Sequence, residues 1–105
     1  LLKDEILNFK PSYFEVIKIA DDFIEVKSKC TKHCWIINRT VLYGDIPYWI
    51  YHKHSSKILY YHKHTYAFSI TQAIEKIISH DSYVIKNKEI KYYNKRVIST
   101  QNKRR

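Results

Sequence analysis

Glycine is nearly missing from this chain: Gly44 is the one glycine among 105 residues, and Pro11 and Pro47 are the two prolines. Turns therefore fall to Asp, Asn, Ser and Lys, which punctuate a chain more weakly. No glycine-rich loop can cradle a phosphate, and the sequence holds no nucleophile elbow and no HExxH helix, so most enzyme classes lose support. Cysteine is equally sparse. Cys30 and Cys34 are the two cysteines, too few to imply a disulfide-dependent scaffold in a chain with ample core, so reduced thiols are expected. If a turn joins two strands at that point, the pair can still approach to bridging distance under oxidation. No apolar run approaches the roughly 20 residues that cross a bilayer, and the start, Leu1-Leu2-Lys3-Asp4-Glu5, has no basic region leading into an apolar stretch. A cytoplasmic protein with no membrane partner is the expectation.

What the chain does have is aromatic and cationic. Hydrophobic residues make up 45%, aromatic 15% and charged 28%, which argues against disorder and provides for one core. Acids are outnumbered, with 10 against 19 Lys and Arg, for a net charge of +9. The imbalance is uneven: residues 1–25 carry net −3, residues 26–85 net +5 and residues 86–105 net +7. A field of this shape draws phosphates to one end or face, though a charged surface tuned for solubility has the same composition. The preference for Ile, Lys, Tyr and Asn suggests an AT-rich genome and a bacterial, plasmid or phage source.

Hydrophobic periodicity predicts an α+β domain over residues 1–98: a small curved antiparallel sheet or partly closed barrel of about five to seven strands, packed by one amphipathic helix. Residues 1–10 read as a short helix or arm ended by Pro11. Residues 14–19 and 23–27 read as a hairpin around Asp21-Asp22, and residues 34–37 as a third strand followed by a turn at Tyr43-Gly44-Asp45. Residues 48–54 and 58–66 read as a further pair around Ser55-Ser56-Lys57. The helix spans 69–80: Ser69-Ile70-Thr71-Gln72 has capping-box form, and Ile70, Ala73, Ile74, Ile77 and Ile78 share a face. It is expected to stop near His80-Asp81-Ser82, with closing strands at 83–85 and 90–93. A mobile basic tail, 99–105, follows. A curved sheet followed by one helix resembles the layout of arm-type DNA-binding domains of tyrosine integrases, and fits PUA and OB barrels as well. The likeness is one of element order over about residues 33–80, with no matching motif, and a shared fold does not carry function.

One near repeat stands out: Tyr51-His52-Lys53-His54 and Tyr61-His62-Lys63-His64. Strand periodicity puts His52 with His54, and His62 with His64. A three-residue loop at 55–57 sets Ile50 opposite His62 and places all four histidines on one face with Tyr60, whereas a loop of two or four residues sends the pairs to opposite faces. Three readings compete. The histidines can form a solvent-facing polar surface; they can contact phosphate while a tyrosine stacks on a base; or they can ligate a transition metal, although two HxH pairs lack zinc-finger spacing. The Cys30, His33, Cys34 grouping matches no zinc signature, and a buried cysteine acting as a small apolar residue accounts for it better. Trp35 and Trp49 read as packing residues.

The reading that follows is a nucleic-acid-binding regulatory or accessory protein, with single-stranded RNA or DNA favoured. The candidate binding residues are His52, Lys53, His54, Tyr60, Tyr61, His62, Lys63, His64, Lys103, Arg104 and Arg105; no catalytic residue, metal or cofactor is assigned. The alternatives are a metal-independent ribonuclease using the hairpin histidines, since His, Lys and Tyr can supply base, acid and charge stabilisation, and a module that meets an acidic protein.

Overall fold

A computed structural model describes the backbone of residues 3–40 and 47–103, with side chains through residue 88. A one-turn helix α1 (Lys3–Ile6) leads into five strands, β1 (Phe14–Ile19), β2 (Phe23–Ser28), β3 (Cys34–Arg39), β4 (Tyr48–Lys53) and β5 (His62–Ala67), and then helix α2 (Ile70–Lys103). The strands pair antiparallel in chain order, β1-β2-β3-β4-β5. The sheet is open, with β1 and β5 at its edges, so the barrel alternative is corrected to a curved sheet of five strands.

The local chemistry explains the meander. Asp21-Asp22 turn the first hairpin, closed by Ala20 N–H donating to the Phe23 carbonyl at 2.9 Å. Between β2 and β3 the chain reverses over Lys29–His33, where Lys32 takes a left-handed φ of 66°, a conformation that normally favours glycine. The expected turn at Tyr43-Gly44-Asp45 lies outside the described residues. Residues 58–61, expected in a strand, are loop, and β5 begins only at His62.

Directly opposed residues share a face, so the register divides the sheet cleanly. Phe14, Ile24, Val26, Trp35, Ile37, Tyr48, Ile50 and Ala67 pack with Phe9 and with Ile70, Ala73 and Ile77 of α2 to form the core. Ser69 caps α2 by accepting the Gln72 N–H at 3.0 Å, and Gln72 Oε1 reaches back to the Phe68 N–H at 2.7 Å. This is the reciprocal logic of a capping box, displaced by one residue. The buried stripe runs 70, 73, 77 and on to Asp81, with Ile74 at its margin and Ile78 39% exposed; Ile78 is therefore corrected from the packed face.

The helix does not stop near residue 80. It continues through residues 83–85 and 90–93, so neither closing strand forms. No glycine or proline follows Pro47, which leaves nothing to break the helix once it starts. The segment expected as a basic tail from residue 99 continues α2 as far as Lys103; Arg104 and Arg105 lie outside the described residues. At about 1.5 Å per residue α2 is about 50 Å long, against about 20 Å for a six-residue strand. Among the described residues no helix is long and apolar enough to cross a membrane.

Candidate functional site

Strand alternation acts on the two Y-H-K-H motifs with unequal results for their residue types. In β4, Tyr48, Ile50 and His52 point toward α2, while Trp49, Tyr51 and Lys53 point to the opposite face. In β5 the pairing steps from Ile50↔Thr65 to Tyr51↔Lys63, leaving His64 as the extra residue of a bulge, and then sets His52 opposite His62. Without that bulge, Thr65 and Ala67 on the core face would bring Lys63 inward. With it, His62 and His64 join Thr65 on the side of α2, and Lys63 turns outward. All four hairpin histidines thus share a face, as a three-residue loop would require, but by other means: the connection runs from His54 to Tyr61, and His62 faces His52 rather than Ile50.

Two further histidines arrive from elsewhere. His33 follows the left-handed Lys32 at the start of β3, and His80 lies three residues after Ile77 on the inner face of α2. All six histidines of the chain therefore gather in one cluster. His52 is its hub, 1% exposed. Its ring centroid lies 4.9 Å from that of His33, 4.9 Å from His54, 5.2 Å from His62, 5.3 Å from His64, 4.7 Å from His80 and 4.2 Å from Trp35. The Trp35 indole forms the floor, and its N–H donates to Ser28 Oγ at 3.1 Å. His33 Nδ1 and His52 Nε2 share a hydrogen bond of 2.9 Å. Ring nitrogens of His33, His52 and His80 lie within 4.8 Å of one another, as do those of His52, His62 and His64. His80 Nδ1 is buried without a hydrogen-bond partner.

Burial sets the protonation of this cluster. Loss of solvation, reinforced by the charges its neighbours would carry, pulls His52 from 6.5 down to about 3. His33, His64 and His80 are also lowered, again chiefly by burial. Burial therefore favours the neutral imidazole at His33, His52, His64 and His80, each with one nitrogen able to accept. A groove of ≈ 480 Å³ between β5 and α2 is lined by His64, Thr65, Gln72, Glu75, Lys76 and Ser79.

A second network fixes the helix beside the cluster. The buried Asp81 carboxylate accepts from Tyr13 OH at 2.6 Å and from Thr31 Oγ1 at 2.9 Å, while Thr31 Oγ1 in turn accepts the His33 N–H at 3.2 Å. Burial and the Asp81 carboxylate push the Tyr13 phenol well above its ordinary range, so it stays a donor. Asp81 thereby ties α2 to the turn that presents His33.

The opposite face of the sheet is aromatic and cationic. By register it carries Lys18, Phe23, Lys27, Trp49, Tyr51, Lys53, Lys63 and Tyr66 together with the acids Glu15 and Glu25, and Glu15 pairs with Lys27 at 3.6 Å. Lys63 Nζ lies 4.1 Å from the Trp49 ring centroid, and Lys53 Nζ 4.6 Å from that of Tyr61. Tyr61 reaches across this face to donate to Glu25 Oε2 at 2.6 Å. Phe23, Ile36, Asn38, Tyr51 and Tyr61 line a groove of ≈ 230 Å³. Cys34 is buried on the same side with its thiol pKa raised by burial. Cys30 is exposed, and both cysteines are free thiols.

The candidate binding residues are consequently divided. Lys53, Tyr61 and Lys63 lie on the aromatic face, His52, His54, His62 and His64 belong to the cluster beneath α2, and Tyr60 projects from the loop, 82% exposed. His52 is too deeply buried to touch a polymer at the surface, which corrects its place among the binding residues. Lys103 is helical. Residue order alone offers His80 and Asp81 only as an expected helix end and His33 only beside the cysteines, and it gives Tyr13 no site role, although Tyr13 and Asp81 support the cluster that His33 and His80 join. The available signal was helical spacing, since 77, 80 and 81 continue the stripe begun at 70 and 73. Comparison with protein-family models, characterised proteins and solved structures finds no match to this chain.

Proposed function

We propose that the protein binds single-stranded nucleic acid, RNA or DNA, across the sheet face turned away from α2. The observation that carries this reading is the sorting of side chains by the β4–β5 register, which sends histidine inward and sets Trp49, Tyr51, Lys53 and Lys63 together on one surface, where the loop residue Tyr61 joins Lys53. Sheets that read single strands stack bases on such aromatic rings and track the backbone with cations. The groove beside Tyr51 and Tyr61 offers aromatic walls and the Asn38 amide, which can both donate to and accept from the edge of a base.

Magnitudes favour the exchange that binding requires. Lys63 lies along Trp49, an exposed cation–π contact worth about 0.5–1 kcal/mol, whereas a base stacked on an aromatic residue is worth about 1–3 kcal/mol. A base can displace the lysine, which then becomes available to a phosphate. The net charge of +9 and the +7 balance of residues 86–105 supply the long-range attraction.

Titration of labelled single-stranded RNA, single-stranded DNA and duplex DNA at two salt concentrations tests the proposal. Trp49→Ala should weaken single-strand binding by about 5- to 150-fold, the equivalent of one lost stack, with little change in salt slope. Deleting Lys103, Arg104 and Arg105 should weaken all ligands alike and flatten the slope. Absence of binding to any of the three at low salt overturns the reading in favour of an acidic protein partner. RNA cleaved without metal, and spared when His62 or His64 becomes Ala, overturns it in favour of a ribonuclease.

A further inference from the structure

The histidine cluster does not belong to the face just described and has no role in it. Six imidazoles in mutual contact are costly unless something uses them: their protonated forms repel, and a buried nitrogen without a partner forfeits its hydrogen bonds. His80 Nδ1 is such an atom, and His80 also contributes one ring nitrogen to a group of three, with His33 and His52, all within 4.8 Å of one another. We propose that His33, His52 and His80 form a binding site for one divalent transition-metal ion of the zinc class.

The chemistry of the donors selects the ion. Among the described residues neither three-residue group includes a carboxylate or a thiolate. Asp81, next to His80, is committed to Tyr13 and Thr31. An all-imidazole, uncharged donor set suits Zn²⁺, Cu²⁺ or Ni²⁺ and rejects the oxygen-seeking Mg²⁺ and Ca²⁺.

The geometry needs little adjustment. At a zinc–nitrogen distance of about 2.0–2.1 Å, two tetrahedral ligand atoms lie about 3.3 Å apart. His33 Nδ1 and His52 Nε2 stand at 2.9 Å, and one ring nitrogen from each of His33, His52 and His80 lies within 4.8 Å of the others. In the metal-free pair one of these nitrogens donates its proton to the other; on metal binding the donor ring takes its proton at its second nitrogen and both lone pairs turn to the ion. No proton need leave the neutral pair.

Stoichiometry follows from the hub. His52 belongs to both groups of three, and a neutral imidazole offers one lone pair because its other nitrogen carries the proton, so the groups compete for it and one ion binds per chain. The buried group prevails because His33 and His52 are shielded from water and His80 holds a buried nitrogen without a partner, whereas His62 and His64 are exposed to water. Three protein ligands leave a fourth position for water or another small ligand. The ion would also join α2 to the sheet, because His80 is the helix's contribution.

The test uses the full chain without a histidine tag, stripped with EDTA and titrated with Zn²⁺ against a chromophoric chelator, with Co²⁺ absorption reporting coordination. One equivalent should bind, the thermal midpoint should rise with added Zn²⁺, and His33→Gln and His80→Gln should each weaken binding by at least about tenfold. Circular dichroism of the metal-free variants establishes that they fold. If folded His80→Gln binds Zn²⁺ as tightly as the parent, if the loss is confined to a His62→Gln/His64→Gln variant, or if no Zn²⁺ is retained against the chelator, the assignment is overturned. Nucleic-acid binding enters none of these outcomes.

Discussion

Acidification should unfold this protein through its histidines, and His52 sets the scale. Its pKa is lowered from 6.5 to about 3 by burial and by the facing His33, His54, His64 and His80; His62 and, through His80, Asp81 complete the titratable groups around it. Because the folded value lies below the unfolded one, protons bind the unfolded chain first. The stabilisation is complete above pH 6.5 and drains away as pH falls toward about 3. At about 1.36 kcal/mol per pKa unit, linkage removes about 2 kcal/mol between pH 7.5 and 5 from His52 alone. His33 and His80 act in the same direction. Domains of this size hold about 5–15 kcal/mol in total, so the loss is a large fraction. Urea denaturation with EDTA present, at constant ionic strength and stepwise pH, should show the midpoint falling by about 1 M or more, for a slope of about 1–3 kcal/mol per molar. His52→Gln removes the titrating group, so its stability should be lower at neutral pH but less steeply dependent on pH. Stability that stays flat or rises from pH 7.5 to 5, or an unaltered pH slope in His52→Gln, refutes the reasoning.

Other substitutions probe the packing that carries the site. Ile77→Ala should cost about 2–5 kcal/mol, and Ile77→Asp should abolish cooperative melting by burying an unpaired charge. Ile78→Asp, on the exposed side of the same helix turn, should change stability by no more than about 0.5 kcal/mol in urea titration. Tyr13→Phe takes one donor from the buried Asp81 carboxylate and should cost about 1.5–3 kcal/mol, read as a lowered thermal midpoint. Asp81→Ala should cost more, because it strands both Tyr13 and Thr31.

Much of the architecture was legible in residue order. β-branched and aromatic alternation marked β1, β2 and β3, the Asp21-Asp22 pair marked their first turn, and Ser69 with Gln72 marked the start of α2; these are local preferences that neighbours in sequence decide. The end of α2 was not legible. Tyr83-Val84-Ile85 has strand-forming residues, yet they follow a helix already nucleated and meet no glycine or proline to stop it, so propagation prevailed over propensity.

The two motifs at residues 51–54 and 61–64 show where sequence reasoning ends. Alternation alone determined that His52 accompanies His54, that His62 accompanies His64, and that each intervening lysine faces the other way. Which face each pair takes depends on a one-residue bulge at His64, and a period of two carries no memory of its origin across a loop. Bringing in His33 and His80 required the left-handed turn at Lys32 and the docking of α2 through Asp81. Sequence therefore determined the composition of each strand face and the overall charge. Tertiary structure alone decided that all six histidines meet, because contacts between residues 33, 52 and 80 arise from sheet register and helix packing, which no local pattern encodes.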